Sequence, residues 1–298
     1  MNKVDGGAGL MVHLPHYTDF VELINSNKKF NFTRLQHGEF DVISESYGEN
    51  ISQFYKDWDS FDYENITNQI VNHHVYKLWH GDGKDLFDAT LLMLKVLREK
   101  NELIPSLMLG VSTGVGFGKF FGEGSDTTPW QIKRNKLLLK ILEDYNQPIY
   151  HSGIPRHMGV MEETYDFFNK LNELNVDVVV FGADYLSLLK DEFKINSFTH
   201  ITIPYKHAVE SLNDTIKELI DKSTKLNNPI IFNSTGHLIS ANLAYYLNET
   251  NLSSFDFGRG FDWNLKKYRT QYPQIEGAWL THTNEHLLKT YIKTIRNG

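Results

Sequence analysis

Short apolar segments alternate with helical segments through the second half of the chain, and this alternation restricts the fold more than any other feature. The clearest apolar segment, residues 176–183, is short and rich in β-branched residues, as buried strands are. The same pattern predicts strands at 198–203, 229–233 and 252–257, and helices at 184–193, 207–225 and 237–248. We therefore predict an α/β fold with a Rossmann-like, mostly parallel sheet flanked by helices.

The first half of the chain is less regular. The spacing of apolar residues predicts an amphipathic helix over Asp85–Lys100, followed by a buried strand, SLMLGVS, and a glycine-rich loop at 112–129. This loop matches neither a Walker A loop nor the dinucleotide fingerprint, which favours a lid or a linker. Because the sequence has no internal repeat or low-complexity linker, we predict a single α/β domain over 1–298, with 112–129 as the place for any subdivision.

The charge and the residue types exclude several classes of function. The 37 acidic and 30 basic side chains are interspersed and leave a net charge of −7, which disfavours nucleic acid as a partner. Cysteine is absent, so any metal must use oxygen or imidazole ligands. The three histidines at 73, 74 and 80 lack the spacing of a zinc signature, and a Gly-x-Ser-x-Gly elbow is missing.

Membrane insertion is also disfavoured. No apolar run reaches the roughly 18 residues that a transmembrane helix requires, and the N-terminal residues lack the pattern of a signal peptide. We therefore expect a cytoplasmic protein without a transmembrane segment.

The loops that follow the predicted strands are the places to look for a site, because ligands of parallel sheets bind beyond the carboxyl ends of the strands. The strand at 229–233 is followed by Ser234, Thr235 and Gly236, which suit a phosphate or a ribose. The alternative is that these residues simply cap the helix at 237–248.

The loop after the last predicted strand mixes glycines with charged residues. Arg259 carries a fork-shaped donor for a diphosphate, and Asp256 or Asp262 could serve a ribose, a sugar hydroxyl or a metal. The alternative is a surface turn with solvated charges.

The stretch FTRLQHGEFDVI, which begins at Phe32, predicts a strand, a polar turn at 36–38 and a new element near Glu39. Together with IIFNSTGHLISANLAYYL and SSFDFGRGFDWNLKKY, it resembles the GT-D glycosyltransferases. Their pattern runs Arg-Phe-Gly-Asp-Gly-Glu, then a glycine-rich turn before a helix, then Asp-Ile-Gly-His. This resemblance spans most of the chain. It implies a Rossmann-like sheet, a UDP-sugar donor and a divalent metal held by the first motif.

The motifs carry over position by position. Arg34, Gly38 and Glu39 match the first motif, and Asp256 and Gly258 match the last one.

Two positions depart from the family pattern. His37 replaces the aspartate of the first motif, and Mn²⁺ accepts imidazole more readily than Mg²⁺ does. Arg259 replaces the late histidine and adds a permanent positive charge, which could stabilise a diphosphate leaving group and partly replace the metal.

We therefore predict a glycosyltransferase, a hexosyl- or pentosyltransferase, that moves a sugar from a nucleotide-diphosphate donor, expected to be a UDP-sugar, to a saccharide or glycan acceptor. The alternatives are sugar transfer to a modified base in DNA, and a non-catalytic nucleotide or sugar-binding protein. His37 and Glu39 are the predicted ligands of a divalent metal, Mn²⁺ or Mg²⁺, and Glu39 and Asp262 are the candidate catalytic bases. The predicted donor-binding residues are Arg34, Gly38, Ser234, Thr235, Gly236, Asp256, Gly258 and Arg259.

Overall fold

The computed structural model describes residues 2–5, 11–35, 37–111, 129–275 and 285–297; at some of these positions, residues 37–39 among them, it describes the backbone alone. The described strands form one sheet in the order β1-β2-β5-β4-β3-β9-β8-β6-β7. They are β1 (Asn2–Asp5), β2 (Met11–Leu14), β3 (Asn31–Leu35), β4 (Leu107–Val111), β5 (Ile149–His151), β6 (Asp177–Gly182), β7 (Phe198–Thr202), β8 (Pro229–Ser234) and β9 (Ser253–Asp256).

Helices connect these strands and cover both faces of the sheet. The α-helices are α1 (Tyr17–Asn25), α2 (His37–Tyr47), α3 (Ile51–Asp59), α4 (Tyr63–Val71), α5 (His74–His80), α6 (Gly83–Arg98), α7 (Lys100–Leu103), α8 (Pro129–Leu142), α9 (Ile154–Val160), α10 (Glu163–Glu173), α11 (Leu189–Glu192), α12 (Leu212–Ser223), α13 (His237–Leu247), α14 (Asp262–Leu265) and α15 (Glu285–Asn297). Short 3-10 helices lie at Gly48–Asn50, Asp184–Leu188, Ala208–Ser211, Gly258–Phe261 and Lys266–Tyr268. Among the described helices, none has both the length and the hydrophobicity needed to cross a bilayer.

The predicted fold class is confirmed. Among the described strands, β2 to β9 pair in parallel, and β1 joins β2 in antiparallel orientation. Alternate side chains of β6 enter two separate apolar cores: Val178 and Val180 pack on one face of the sheet, and Val179 and Phe181 on the other. Because both faces are covered, residues 178–181 of the strand are all apolar, and this uninterrupted apolar run is what predicted a buried strand from the sequence.

Several predicted element boundaries were wrong, and the backbone explains why. The predicted turn at 36–38 is absent from 37 onward, because α2 already begins at His37. The helix predicted at 207–225 cannot begin at His207, whose φ of 57° is left-handed; a 3-10 turn precedes α12 instead. The helix predicted at 184–193 is a 3-10 turn followed by α11.

Strands on either side of the glycine-rich loop belong to the same sheet. Gly110 of β4 is paired with Tyr150 of β5. Residues 112–128 lie outside the described chain, so the proposed subdivision at 112–129 stays a prediction.

Candidate functional site

Arg34 and Asp256 form a buried ion pair at the carboxyl edge of the sheet. The parallel pairing of β3 with β9 brings the two residues together. Arg34 Nε donates to Asp256 Oδ1 at 3.1 Å, and the Arg34 backbone N–H donates to Oδ2 at 3.2 Å. Arg34 Nη1 also approaches the carbonyl of Ser152, the residue after β5, at 3.5 Å. Two of the predicted donor-binding residues therefore hold three strand ends together.

Gly258 makes room for the guanidinium of Arg34. Its φ is +47°, and a Cβ added at this position would lie 1.3 Å from Arg34 Nη2. Any side chain at 258 would displace the guanidinium and strain the backbone. The glycine of the late motif is thus explained by the close approach of an arginine from the early motif.

The turn after β8 lies against the same place. Ser234 Oγ donates to the carbonyl of Gly258, and Thr235 Oγ1 donates to Asn233 Oδ1. Gly236 has a φ of +89° and is the N-cap of α13, and as a glycine it offers no side chain to cap the helix. Both hydroxyls thus donate within the turn and to the late motif rather than to α13. The binding of a phosphate or a ribose by this turn stays a prediction.

Arg259 and Asp262 form a second, less buried pair. Arg259 Nη1 lies 3.4 Å from Asp262 Oδ2, and the Arg259 side chain is 29% exposed. Arg259 also donates to the hydroxyl of Tyr205. Asp262 is fully buried and accepts a hydrogen bond from the Tyr185 hydroxyl at 2.9 Å. A fully buried carboxylate cannot contact an acceptor hydroxyl without rearrangement, so this placement favours the positioning of Arg259 over the predicted role of catalytic base.

The predicted metal ligands fall at the start of α2. The backbone places His37 and Glu39 at the N-terminus of this helix, two residues beyond the end of β3. Their side chains, and that of Gly38, are outside the description. Within the described part of the chain, no three or more histidine and carboxylate side chains cluster as metal ligands would. The described residues alone therefore do not form a metal site, and the divalent metal stays a prediction that rests on His37 and Glu39.

Two buried histidines lie next to the Arg34 pair. The rings of His151 and His157 are 5.0 Å apart between centroids, and the Gly153 N–H donates to His151 Nδ1 at 3.0 Å. Burial lowers the pKa of His151 to about 4. Burial, and then the neighbouring His151, lower the pKa of His157 well below its ordinary value. Both rings are neutral at physiological pH, so they add no charge next to the Arg34 pair.

Sequence reasoning missed several residues of this edge: Ser152, Tyr185 and Tyr205. Each of them follows a strand within three residues, after β5, β6 and β7 respectively. A search of every strand end, rather than of the loops with charged or glycine-rich motifs, would have found them.

Comparisons with known proteins agree with this architecture. Neither a family model nor a curated protein matches the chain. Among solved structures, it is similar to a domain of unknown function 1792 described as having a distinct glycosyltransferase fold, with a TM-score of 0.52 and 17% identity over 87% of this chain and 82% of the other. It is also similar to a new glycosyltransferase (DUF1792) from Streptococcus sanguinis, with a TM-score of 0.50 and 14% identity over 93% and 92%. The chain thus has the fold of these glycosyltransferase-like proteins.

Proposed function

We propose that the protein is a glycosyltransferase that moves a sugar from a nucleotide-diphosphate donor, a UDP-sugar, to a saccharide or glycan acceptor. The observation that carries this proposal is the anchored, partly exposed side chain of Arg259 at the carboxyl edge of the sheet. It follows Gly258, whose carbonyl binds the turn at the N-terminus of α13. The fold shared with proteins described as glycosyltransferases supports the same reaction class.

Glycosyl transfer requires stabilisation of the nucleoside diphosphate that leaves as the sugar bond breaks. A guanidinium binds two phosphate oxygens at once, and the N–H groups of a helix N-terminus add further positive potential. Asp262 holds the guanidinium of Arg259 before the donor arrives, so little reorganisation is needed in the transition state.

The remaining predicted site residues take supporting roles in this proposal. Arg34 and Asp256 are 6% and 1% exposed, so they hold the turn that carries Gly258 rather than contact the donor through open faces. Glu39 remains the proposed base that deprotonates the acceptor hydroxyl. A divalent metal, if bound by His37 and Glu39, would supply Lewis-acid stabilisation of the diphosphate.

The proposal is tested by a thermal-shift screen of nucleotide-sugars, with and without Mn²⁺, on three proteins: wild type, Arg259→Ala and Arg269→Ala. Arg269 is an exposed arginine outside the site and serves as the matched control. We expect a UDP-sugar to raise the Tm of wild type and Arg269→Ala, but much less that of Arg259→Ala. Turnover should fall by about 10²–10³-fold in Arg259→Ala only.

Failure of every nucleotide to raise the Tm of the wild type would overturn the proposal. Stabilisation by UDP without hydrolysis or transfer from any donor would instead favour the alternative of a non-catalytic nucleotide-binding protein.

A further inference from the structure

Close packing holds the turn that carries Arg259 on both sides. Arg259 belongs to the 3-10 turn Gly258–Phe261, which we call the Arg259 turn, but its own φ of −90° and ψ of 19° are not helical. Before Arg259, Gly258 leaves room for the guanidinium of Arg34. After it, Gly260 lies against α9, the helix that follows β5. The backbone of Arg259 is therefore confined between two close contacts.

The contact between the Arg259 turn and α9 brings backbone against backbone. A Cβ added at Gly260 would lie 2.6 Å from Pro155 Cβ and 2.9 Å from the Pro155 carbonyl carbon. A Cβ added at Gly159, one helical turn after Pro155, would lie 2.9 Å from the carbonyl oxygen of Gly260. Real Cβ atoms essentially never lie within 3.0 Å of such an atom, so a side chain at 159 or 260 would push the turn away from α9.

The helix itself gives no reason for glycine at 159. Gly159 is not among the glycines with positive φ in the described part of the chain, so alanine would fit its backbone. Alanine also favours a helix more than glycine does, because glycine loses more conformational freedom on folding. The approach of the Gly260 carbonyl is thus the physical reason for the missing side chain at this position.

Helix α9 also supports the partner of Arg259. Asp262, whose Oδ2 lies 3.4 Å from Arg259 Nη1, is the first residue of α14. The next residue, Trp263, packs against Val160 of α9 in a small core that two side chains of α15 complete. A Cβ at Gly159 would also lie 3.4 Å from Trp263 Cβ. The guanidinium and the carboxylate that holds it therefore both depend on the same short helix for their position.

We propose that Gly159 is a positioning residue of the donor site and acts through Arg259. This inference rests on the proposed function. Gly159 is buried and has no side chain to offer a donor; instead, it lets the Gly260 carbonyl reach α9 and so sets where the guanidinium of Arg259 lies. A bidentate contact between a guanidinium and a diphosphate requires a placement within about 0.5 Å. A Cβ at 159 would move the turn by a few tenths of an ångström or more, which is enough to weaken that contact.

Alanine at 159 or at 260 tests this inference from the two sides of the contact. We expect Gly159→Ala and Gly260→Ala each to lower the affinity for UDP about tenfold, measured by calorimetry with Mn²⁺ present. The control is Gly48→Ala, which strains the backbone at a φ of +50° but brings its Cβ within 4 Å of no described atom. It should lower the Tm and change the affinity for UDP by less than about twofold. A general loss of stability is thereby distinguished from misplacement of Arg259.

A double-mutant cycle shows whether Gly159 acts through Arg259. If it does, Gly159→Ala should weaken UDP binding in the wild-type background but have less than about a twofold effect in the Arg259→Ala background, because the guanidinium that it misplaces is already gone. Equal losses in both backgrounds would overturn the inference, as would UDP binding by Gly159→Ala with the affinity of the wild type. Either result would leave the proposed function intact.

A second measurement needs no nucleotide. The Nε–Hε signal of Arg259 in a proton–nitrogen NMR spectrum is assigned by its absence from the spectrum of Arg259→Ala. We expect this signal to shift in Gly159→Ala and Gly260→Ala, and to coincide with that of the wild type in Gly48→Ala. An unmoved signal in Gly159→Ala would overturn the inference. If no nucleotide bound to the wild type, the proposed function would fail, and a shifted signal would still support the placement of Arg259 by Gly159.

Discussion

At the scale of single residues, the site depends on charges that are buried and paired across long sequence distances. Arg34 and Asp256 are 222 residues apart in sequence, yet they form two hydrogen bonds in the interior. A buried ion pair contributes little net stability, because desolvation offsets the attraction, but a buried charge that loses its partner is costly. The effect of burial on this pair is therefore measured best by removing one partner at a time.

Substitution of Asp256 by alanine should destabilise the protein strongly. It leaves the buried guanidinium of Arg34 without its carboxylate, at a cost of about 3–5 kcal/mol in the free energy of unfolding. The double variant Arg34→Met/Asp256→Ala should recover part of this loss, because it no longer buries a charge. Urea unfolding measures the free energy of unfolding of the single and the double variant.

The matched control is Glu218→Ala, which removes a partner of the exposed ion pair with Lys222. It should change stability by less than about 1 kcal/mol. Equal stability of the two single variants would contradict the burial argument for Arg34.

The close approach at Gly258 predicts a second effect. Gly258→Ala should destabilise the protein beyond the cost of a left-handed backbone, because the new Cβ overlaps Arg34 Nη2. Gly48→Ala is the control: its φ of +50° imposes the same backbone strain, and no described atom lies within 4 Å of an added Cβ.

We expect Gly48→Ala to lose about 1 kcal/mol and Gly258→Ala to lose at least about 2 kcal/mol more. Chemical denaturation of the two variants gives the comparison. A loss at Gly258 no greater than that at Gly48 would show that Arg34 moves aside freely.

At the scale of elements, β5 and α9 meet through the buried rings of His151 and His157. Arg156 and Arg296 add positive charge near His157, which disfavours its protonation further, after burial and His151. The unfolded chain carries no such penalty, so its histidines bind protons near their ordinary pKa of 6.5. The junction between β5 and α9 is therefore a place where protonation opposes folding.

Stability should accordingly decrease as the pH falls below about 6.5. Because the pKa of both rings is lowered in the folded state, the unfolded chain takes up protons first, and the free energy of unfolding falls toward pH 4. Each histidine contributes a slope of at most about 1.4 kcal/mol per pH unit. Urea unfolding between pH 7.5 and 5 measures this dependence.

The variant His151→Asn/His157→Gln removes both titrating rings and should flatten the dependence on pH above 5. The change at 151 is conservative, since the asparagine oxygen can accept the Gly153 N–H as His151 Nδ1 does. His74→Asn, at an exposed position, should retain the wild-type slope. If the free energy of unfolding of the double variant depended on pH as steeply as that of the wild type, His151 and His157 would not be the cause of the dependence.

At the scale of the whole molecule, the net charge of −7 and the mixed distribution of acidic and basic residues bear on the partner. Binding to a phosphate backbone requires a concentrated positive surface. Arg34, the most buried cation of the site, is neutralised by Asp256, and Arg259 is paired with Asp262. This arrangement favours a small anionic ligand over a polyanion.

The protein should therefore pass through a heparin or DNA resin at physiological salt without retention. The control is the same column at raised ionic strength, which weakens electrostatic binding. Retention that salt abolishes would restore the alternative of sugar transfer to a modified base in DNA.

The sequence by itself determined the layer architecture, because the spacing of apolar residues within each short segment identifies it as a strand or a helix. The apolar run of β6 and the alternation after it were sufficient to predict a parallel α/β sheet. The resemblance to the GT-D motifs singled out Arg34 and Gly258, and Asp256 was also singled out by its place after a predicted strand.

Only the tertiary structure decided how these residues meet. The strand order places β3 beside β9, and this adjacency between distant segments pairs Arg34 with Asp256 and requires glycine at 258. The same holds for Gly159 and Gly260, whose close approach joins elements with no sequence pattern in common. Burial, which makes Asp262 a poor candidate for a base, is likewise a property of packing and not of residue type. Contacts across a sheet depend on the order of its strands, and local sequence carries little information about that order.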